Sequence, residues 1–235
     1  MRPQPYTLTV DDTHRVSALF LLPAAARACF VMAHGAGAGM DHPSMTVLAT
    51  ELYALNIATL RYQFPYMERH SRRPDPPALC HATVRAAVIE ATRLVPALPL
   101  IAGGRSFGGR MTSQAQASSP LPGVQGLAFL GFPLHPADRP SNDRAKHLFE
   151  VKIPMLFLQG TRDALADLEL LEPLVAQLGE RATLKLLQDA DHSFHVPART
   201  GRKDPEVRSE LLQMLSGWIG LLSHNFPSQP ARPRR

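Results

Sequence analysis

Three segments of this chain carry residue types that could act together on an acyl group. The first is Gly103-Gly104-Arg105-Ser106-Phe107-Gly108-Gly109, with Gly104-x-Ser106-x-Gly108 at its centre. A serine on a sharp strand-to-helix turn needs small residues two places before and after it, because the turn presses both against neighbouring backbone. Such a turn would project Oγ of Ser106 above a sheet and aim the Phe107 N–H at a developing oxyanion. The second is His34-Gly35-Ala36-Gly37-Ala38-Gly39, whose glycines would let backbone approach a bound acyl group. The Ala36 N–H is the expected second oxyanion donor, with Gly37 as the alternative. The third is a pair, Gly160-Thr161-Arg162-Asp163 and Asp189-Ala190-Asp191-His192-Ser193-Phe194-His195.

A serine hydroxyl is a poor nucleophile until an imidazole takes its proton, and the imidazole needs a carboxylate to fix its tautomer. Ser106, Asp163 and His192 supply that set, in that chain order. Asp163 is preferred to Asp167, which is expected on the following helix and facing solvent. His192 is preferred to His195, and the choice between them stays open. Asp191-His192-x-x-His195 could form half a metal site, but no third ligand is near in sequence. No metal and no cofactor is expected.

Two other Gly-rich chemistries fail on spacing. Gly35-x-Gly37 lacks the third glycine of a dinucleotide loop, and Arg61 stands near where its acidic residue should be. Gly108-Gly109-Arg110-Met111-Thr112 lacks the Gly-Lys-Ser/Thr of a P-loop. Arg105 and Arg110 flank the serine and could assist an anionic substrate. Both are expected to be structural, with Arg105 facing away from the pocket and Arg110 pairing with a neighbouring element.

These segments need strands before them and helices after them. The apolar patterns predict strands at Val16–Leu22, Ala28–Ala33, Ile57–Leu60, Leu98–Ala102, Gly126–Gly131, Pro154–Gln159 and Ala182–Leu187. Helices are predicted at 43–55, 78–94, 107–117 and 165–178. A last helix opens with Asp204 as N-cap and presents Val207, Leu211, Met214, Leu215, Trp218, Ile219 and Leu222 on one face. Fully apolar strands alternating with helices imply an α/β fold with a mostly parallel sheet covered on both faces. Ligands then sit beyond the C-terminal strand ends, where all three segments fall.

Composition narrows the function classes. With 45% hydrophobic and 19% charged residues, the 235-residue chain has a globular mix. No linker or repeat interrupts it, so one domain is expected over 1–235, with its core at about 6–223. The Pro-rich ends, Met1–Pro5 and Phe226–Arg235, are expected to be loose. The net charge of +5 concentrates at Arg69-His70-Ser71-Arg72-Arg73 and in the tail, without interleaved aromatics, so no nucleic-acid partner is expected. No run of about 18 apolar residues spans a membrane, and the N-terminus lacks a signal-peptide pattern. Cys29 and Cys80 show neither disulfide-framework nor zinc spacing and read as reduced core residues, which fits a cytoplasmic protein.

Together the motifs resemble the α/β-hydrolase superfamily, from Val16 to Leu222. The wording His34-Gly-Ala-Gly-Ala-Gly-Met-Asp41, Gly104-Arg-Ser-Phe-Gly-Gly-Arg110 and Leu158-Gln-Gly-Thr-Arg-Asp163 is similar to the dienelactone-hydrolase-like branch that includes testis-expressed protein thirty and NSL complex subunit three. Dienelactone hydrolases carry cysteine at the elbow, so their lactone chemistry does not transfer to Ser106. The resemblance implies a serine hydrolase acting through an acyl-enzyme. Alternatives are a catalytically silent binding or scaffold protein, or an acyltransferase using the same triad. The interval Phe132–Ile153, where lids occur in this superfamily, is too short for a cap domain, so an open site for a small or soluble ester, thioester or amide is expected. His34, Gly35, Gly37, His135, Phe64, Tyr66 and His195 are candidate pocket residues. The basic loop around Arg69, Arg72 and Arg73 would favour an anionic acyl substrate if it faces the site.

Overall fold

Every residue of Ala28–Ala33 and Ile57–Tyr62 is buried, which demands cover on both faces of the sheet these strands join. The computed structural model, which describes residues 2–225, shows that cover. Its strands are β1 (Gln4–Thr9), β2 (Arg15–Leu21), β3 (Ala28–Ala33), β4 (Ile57–Tyr62), β5 (Leu100–Arg105), β6 (Val124–Leu130), β7 (Met155–Gly160) and β8 (Ala182–Leu187). They form one sheet in the order β1-β2-β4-β3-β5-β6-β7-β8. β2 is antiparallel to β1 and β4, and the other pairs are parallel.

Helices α3 (Pro77–Leu94), α4 (Phe107–Ser118) and α5 (Leu168–Leu178) cover one face; α1 (Pro43–Ala54) and α6 (Asp204–Asn225) cover the other. The two-residue strand period divides side chains between these layers. Cys29, Val31 and Ala33 of β3 join the first core, whereas Ala28, Phe30 and Met32 join the second. In the first core, the Phe129 ring lies 5.2 Å from that of Phe132 and 4.9 Å from that of Phe157.

The departures from the sequence reading have local causes. β1 includes Gln4 and Pro5, expected to be loose; only Leu8 of that strand is buried, so no alternation marked it. Pro5 is tolerated because β1 is an edge strand. A short helix, α2 (Pro65–Glu68), lies in the loop expected after β4. α5 starts at Leu168 rather than 165, because the intervening residues turn back on Asp163: the Leu165 N–H donates to its Oδ1 and the Ala166 N–H to its carbonyl. Asp204 is the first helical residue of α6, and its carboxylate receives the Val196 N–H instead of capping the helix. The expected loose segment 226–235 lies outside the described residues.

Between β6 and β7 the chain forms only the 3₁₀ turn Asp143–Glu150, which pins itself to α4 through Ser113 Oγ and His147 Nε2 at 2.7 Å. Among the described residues, no cap domain covers the sheet end. Among the described residues, no helix is long and apolar enough to cross a membrane.

The aromatic cluster sets a stability prediction. Phe129→Ala empties a fully buried site and should lower the unfolding free energy by about 3–5 kcal/mol, read by urea denaturation. A loss below about 1 kcal/mol would mean that the three rings are not in close mutual contact.

Candidate active site

β5 ends at Arg105 and α4 begins at Phe107, which leaves Ser106 as the joint between them. Ser106 sits at φ 48°, ψ −117°, a conformation that costs a residue with a side chain about 1–3 kcal/mol. The turn is held at both ends: the Ser106 N–H donates to the Leu130 carbonyl at 3.1 Å, and its own carbonyl accepts the Arg110 N–H at 3.1 Å. Parallel pairing sets Ala33 beside Gly104. A Cβ on Gly104 would stand 2.1 Å from the Ala33 carbonyl oxygen, and one on Gly108 would stand 2.5 Å from that of His34. The two glycines are what let the elbow lie against the end of β3.

Above this turn, Ser106 Oγ lies 2.8 Å from His192 Nε2, and His192 Nδ1 lies 2.7 Å from Asp163 Oδ2. The Asp163 side chain is fully buried, whereas that of His192 is 25% exposed. The Asp163 carboxylate is satisfied by more than the imidazole: its Oδ1 accepts the Leu165 N–H at 2.8 Å, and its Oδ2 also accepts from Gln159 Nε2. Gln159 is itself fixed, since its Oε1 accepts the Phe132 N–H at 2.9 Å. The loops after β7 and β8 are tied by the Arg162 N–H to the Ala190 carbonyl (2.9 Å) and the Asp189 N–H to Thr161 Oγ1 (2.8 Å). Asp191 closes the second loop, its Oδ1 accepting the Ser193 and His195 N–H groups at 2.7 and 3.0 Å. His195 is exposed and pairs with Asp204 at 2.9 Å, which raises its pKa; of the two histidines, only His192 is hydrogen-bonded to Ser106. Asp167 caps α5 by accepting the Glu169 N–H, and takes no part in this relay.

The loop after β3 runs alongside. A Cβ on Gly35 would lie 3.9 Å from the Ser106 Cβ, and Gly37 has open space around it. Among the described residues, no acceptor takes the Ala36, Gly37 or Phe107 N–H. This loop is braced by residues just after β4. His34 is fully buried; its Nε2 accepts the Phe64 N–H at 3.0 Å, so Nδ1 carries the proton and donates to the Gly35 carbonyl at 2.7 Å. Burial pulls its pKa down to about 4. The Tyr66 hydroxyl, kept protonated by burial, donates to the Ala36 carbonyl at 2.9 Å. Gln63 Oε1 accepts the Met40 N–H at 2.8 Å, and Arg61 Nη1 donates to the Met40 carbonyl at 2.9 Å.

Several residues expected at the pocket mouth are buried or lie outside the cleft wall. Phe64 and Tyr66 are fully buried and support the loop from beneath instead of lining the mouth. His135 is buried as well; its Nδ1 donates to the Pro136 carbonyl and its Nε2 accepts the Asp167 N–H, so it fastens a turn and is not part of the cleft wall beside Ser106. Arg72 and Arg73 are exposed and absent from the cleft wall, and Arg69 pairs with Asp75. The cleft of about 470 Å³ beside Ser106 is walled by Ala36, Phe107, Met111, Pro133, Leu165 and Arg110 among others. Among the described residues, Arg110 makes no ion pair with a neighbouring element, contrary to expectation; its guanidinium lies 5.8 Å from the Phe107 ring centroid. The supporting roles of Gln63, Gln159 and Asp191 carried no signal in the sequence, because only the fold brings their side chains to the Met40, Phe132, Ser193 and His195 N–H groups. Burial pushes both Cys29 and Cys80 thiols up to about 12, so both stay protonated at neutral pH.

The buried His34 sets a pH window. Its folded-state pKa of about 4 lies below the ordinary 6.5, so the unfolded chain takes up a proton first as pH falls. Its contribution is complete above pH 6.5 and is lost between 6.5 and 4, about 3 kcal/mol in all. His147, lowered to about 4 chiefly by burial and then by Arg110, acts in the same direction. Urea unfolding across this range should show the decline, and an NMR titration placing His34 near 6.5 would contradict it.

A family model described as alpha/beta hydrolase domain matches residues 26–220. Similar solved structures include an alpha-beta serine hydrolase homologue from Coxiella burnetii, 19% identical with a TM-score of 0.73, covering 92% of this chain and 98% of that one. A dienelactone hydrolase from Anabaena variabilis is 22% identical with a TM-score of 0.71, covering 94% and 99%. A serine hydrolase without a lid from Xanthomonas campestris is 21% identical with a TM-score of 0.71, covering 99% and 98%. At these identities the likeness is one of fold, and it agrees with the capless sheet of this chain. On the match of the family model across most of its length, this chain belongs to the alpha/beta hydrolase domain family.

Proposed function

We propose that this protein is a serine hydrolase that cleaves a small or soluble carboxylic ester, thioester or amide through an acyl-enzyme. The observation that carries the reading is the unbroken relay from Ser106 Oγ through His192 to the buried Asp163, at 2.8 and 2.7 Å, mounted on a positive-φ elbow. Ser106 Oγ attacks the substrate carbonyl carbon while His192 Nε2 takes its proton. The carbonyl π pair moves onto oxygen, where the Phe107 and Ala36 N–H groups receive the oxyanion. Collapse expels the leaving group, which takes the proton from His192, and leaves the acyl group on Ser106. Water repeats the sequence with His192 as base: the acid is released and Ser106 regains its proton. Asp163 holds the imidazole with Nε2 toward Ser106 and stabilises its transient charge. Each oxyanion donor is worth about 10²–10³ in rate in comparable sites.

The absence of a cap favours compact acyl compounds over lipid aggregates. The reading requires no metal, cofactor, nucleic acid or membrane. Two buried free thiols suit a cytoplasmic setting. The motif wording around His34, Ser106 and Asp163 supports a place in the dienelactone-hydrolase-like branch similar to testis-expressed protein thirty and NSL complex subunit three, with serine in place of the cysteine of dienelactone hydrolases.

Intact mass after incubation with a fluorophosphonate probe tests the reading. One adduct is expected on wild type and none on Ser106→Ala. Turnover of 4-nitrophenyl acetate should fall at least about 10⁴-fold in Ser106→Ala and roughly 10³–10⁴-fold in Asp163→Asn. A folded wild type that takes up no probe would overturn the enzyme reading in favour of a binding role.

A further inference from the structure

The cleft beside Ser106 contains more positive charge than the relay uses. Arg110, one turn into α4, and Arg144, in the 3₁₀ turn between β6 and β7, both contribute to its wall. Among the described residues, neither guanidinium has a hydrogen bond or a carboxylate partner, and the Arg110 Nε is buried with no acceptor. A buried donor left unsatisfied is destabilising, and more so when it is charged. Burial depresses the Arg110 pKa, and Arg144 adds like-charge repulsion. The one carboxylate on the same wall, Asp75, is already engaged: its Oδ1 accepts from Arg69 at 2.5 Å and its Oδ2 accepts the Tyr66 N–H at 2.7 Å. His147 and His81, which also border this region, are shifted towards neutrality by burial and bring no negative charge. Two arginines held close together without a counter-charge are therefore a site lacking its anion.

The position of the cleft says which part of a substrate would bring that anion. Its wall includes Ser106 and both oxyanion donors, Ala36 and Phe107, but not His192. The leaving group must depart on the His192 side, where it is protonated, so this cleft takes the acyl portion. Phe107, Met111, Pro77 and Leu165 of the same wall are apolar and suit a short methylene chain. We propose that Arg110 and Arg144 form an anion subsite that selects acyl groups bearing a distal carboxylate, as in monoesters or monothioesters of dicarboxylic acids. This rests on the hydrolase reading for its turnover, but not for its binding. Arg–carboxylate pairing in a sheltered cleft is bidentate and charge-assisted, which gives discrimination of roughly 10- to 100-fold over a neutral isostere.

The test compares kcat/KM for 4-nitrophenyl hydrogen adipate with that for its methyl-capped neutral counterpart. Wild type should prefer the anion. The preference should fall by about tenfold or more in Arg110→Met and in Arg144→Met, survive in part in Arg110→Lys, and persist in Arg72→Ala, whose side chain lies outside the cleft. Equal preference in wild type and both methionine variants would overturn the subsite, as would a loss of equal size in Arg72→Ala, which would indicate only a general positive field. Adipate binding to the Ser106→Ala protein, followed by calorimetry, separates this proposal from the hydrolase reading. If neither ester is turned over, adipate binding that weakens about tenfold or more in Ser106→Ala/Arg110→Met keeps the anion site without the enzyme. No adipate binding to Ser106→Ala in that case overturns the anion site too.

Discussion

The close passage of one backbone over another, Gly104 and Gly108 against the end of β3, governs the rest of this site. Parallel pairing of Ala33 with Gly104 brings the loop that starts at His34 within reach of Ser106. A side chain at either glycine would overlap a carbonyl oxygen by close to an ångström of ordinary contact distance, and the elbow could not sit where it does. The strained conformation of Ser106 persists because both its neighbours are built into regular elements, a strand on one side and a helix on the other. Strain and support come from the same two elements.

A second structure depends on that passage. The loop after β3 is rich in glycine and would be mobile alone, with no side chains to pack. It is held instead by the end of β4 and the segment beyond it: Arg61, Gln63, the Phe64 N–H and the Tyr66 hydroxyl bond to residues along it. The neighbouring position of β4 and β3 in the sheet makes this reach short. The brace leaves the Ala36 and Phe107 N–H groups unspent. Donors that are fixed before a substrate arrives need no reorganisation when negative charge develops.

On the other side, the loops after β7 and β8 hold a buried carboxylate next to a partly exposed imidazole. Burying Asp163 would be costly without donors, and Gln159, the Leu165 N–H and His192 supply them. Gln159 in turn reaches the Phe132 N–H, which links the carboxylate to the strand end that leads into the 3₁₀ turn carrying Arg144. The relay and the charged wall of the cleft are thus mounted on one frame, at the C-terminal edge of a parallel sheet where loops from several strands converge.

The sequence alone determined the strand–turn–helix at Ser106, the strands Ala28–Ala33 and Ala182–Leu187, and the order of serine, acid and histidine. Those features are local: apolar runs, glycine spacing and residue type carry them over a few positions. It narrowed His192 against His195 without deciding, because three residues of separation in a loop say nothing about direction. The tertiary structure decided that point when the Asp191 turn sent one imidazole to Ser106 and the other to Asp204. It also moved Phe64, Tyr66 and His135 from the mouth to the support, and left Arg110 in the cleft with Arg144 instead of in an ion pair. Which face a loop side chain turns to depends on partners dozens of residues away, and those partners become neighbours only once the sheet has set the order of its strands.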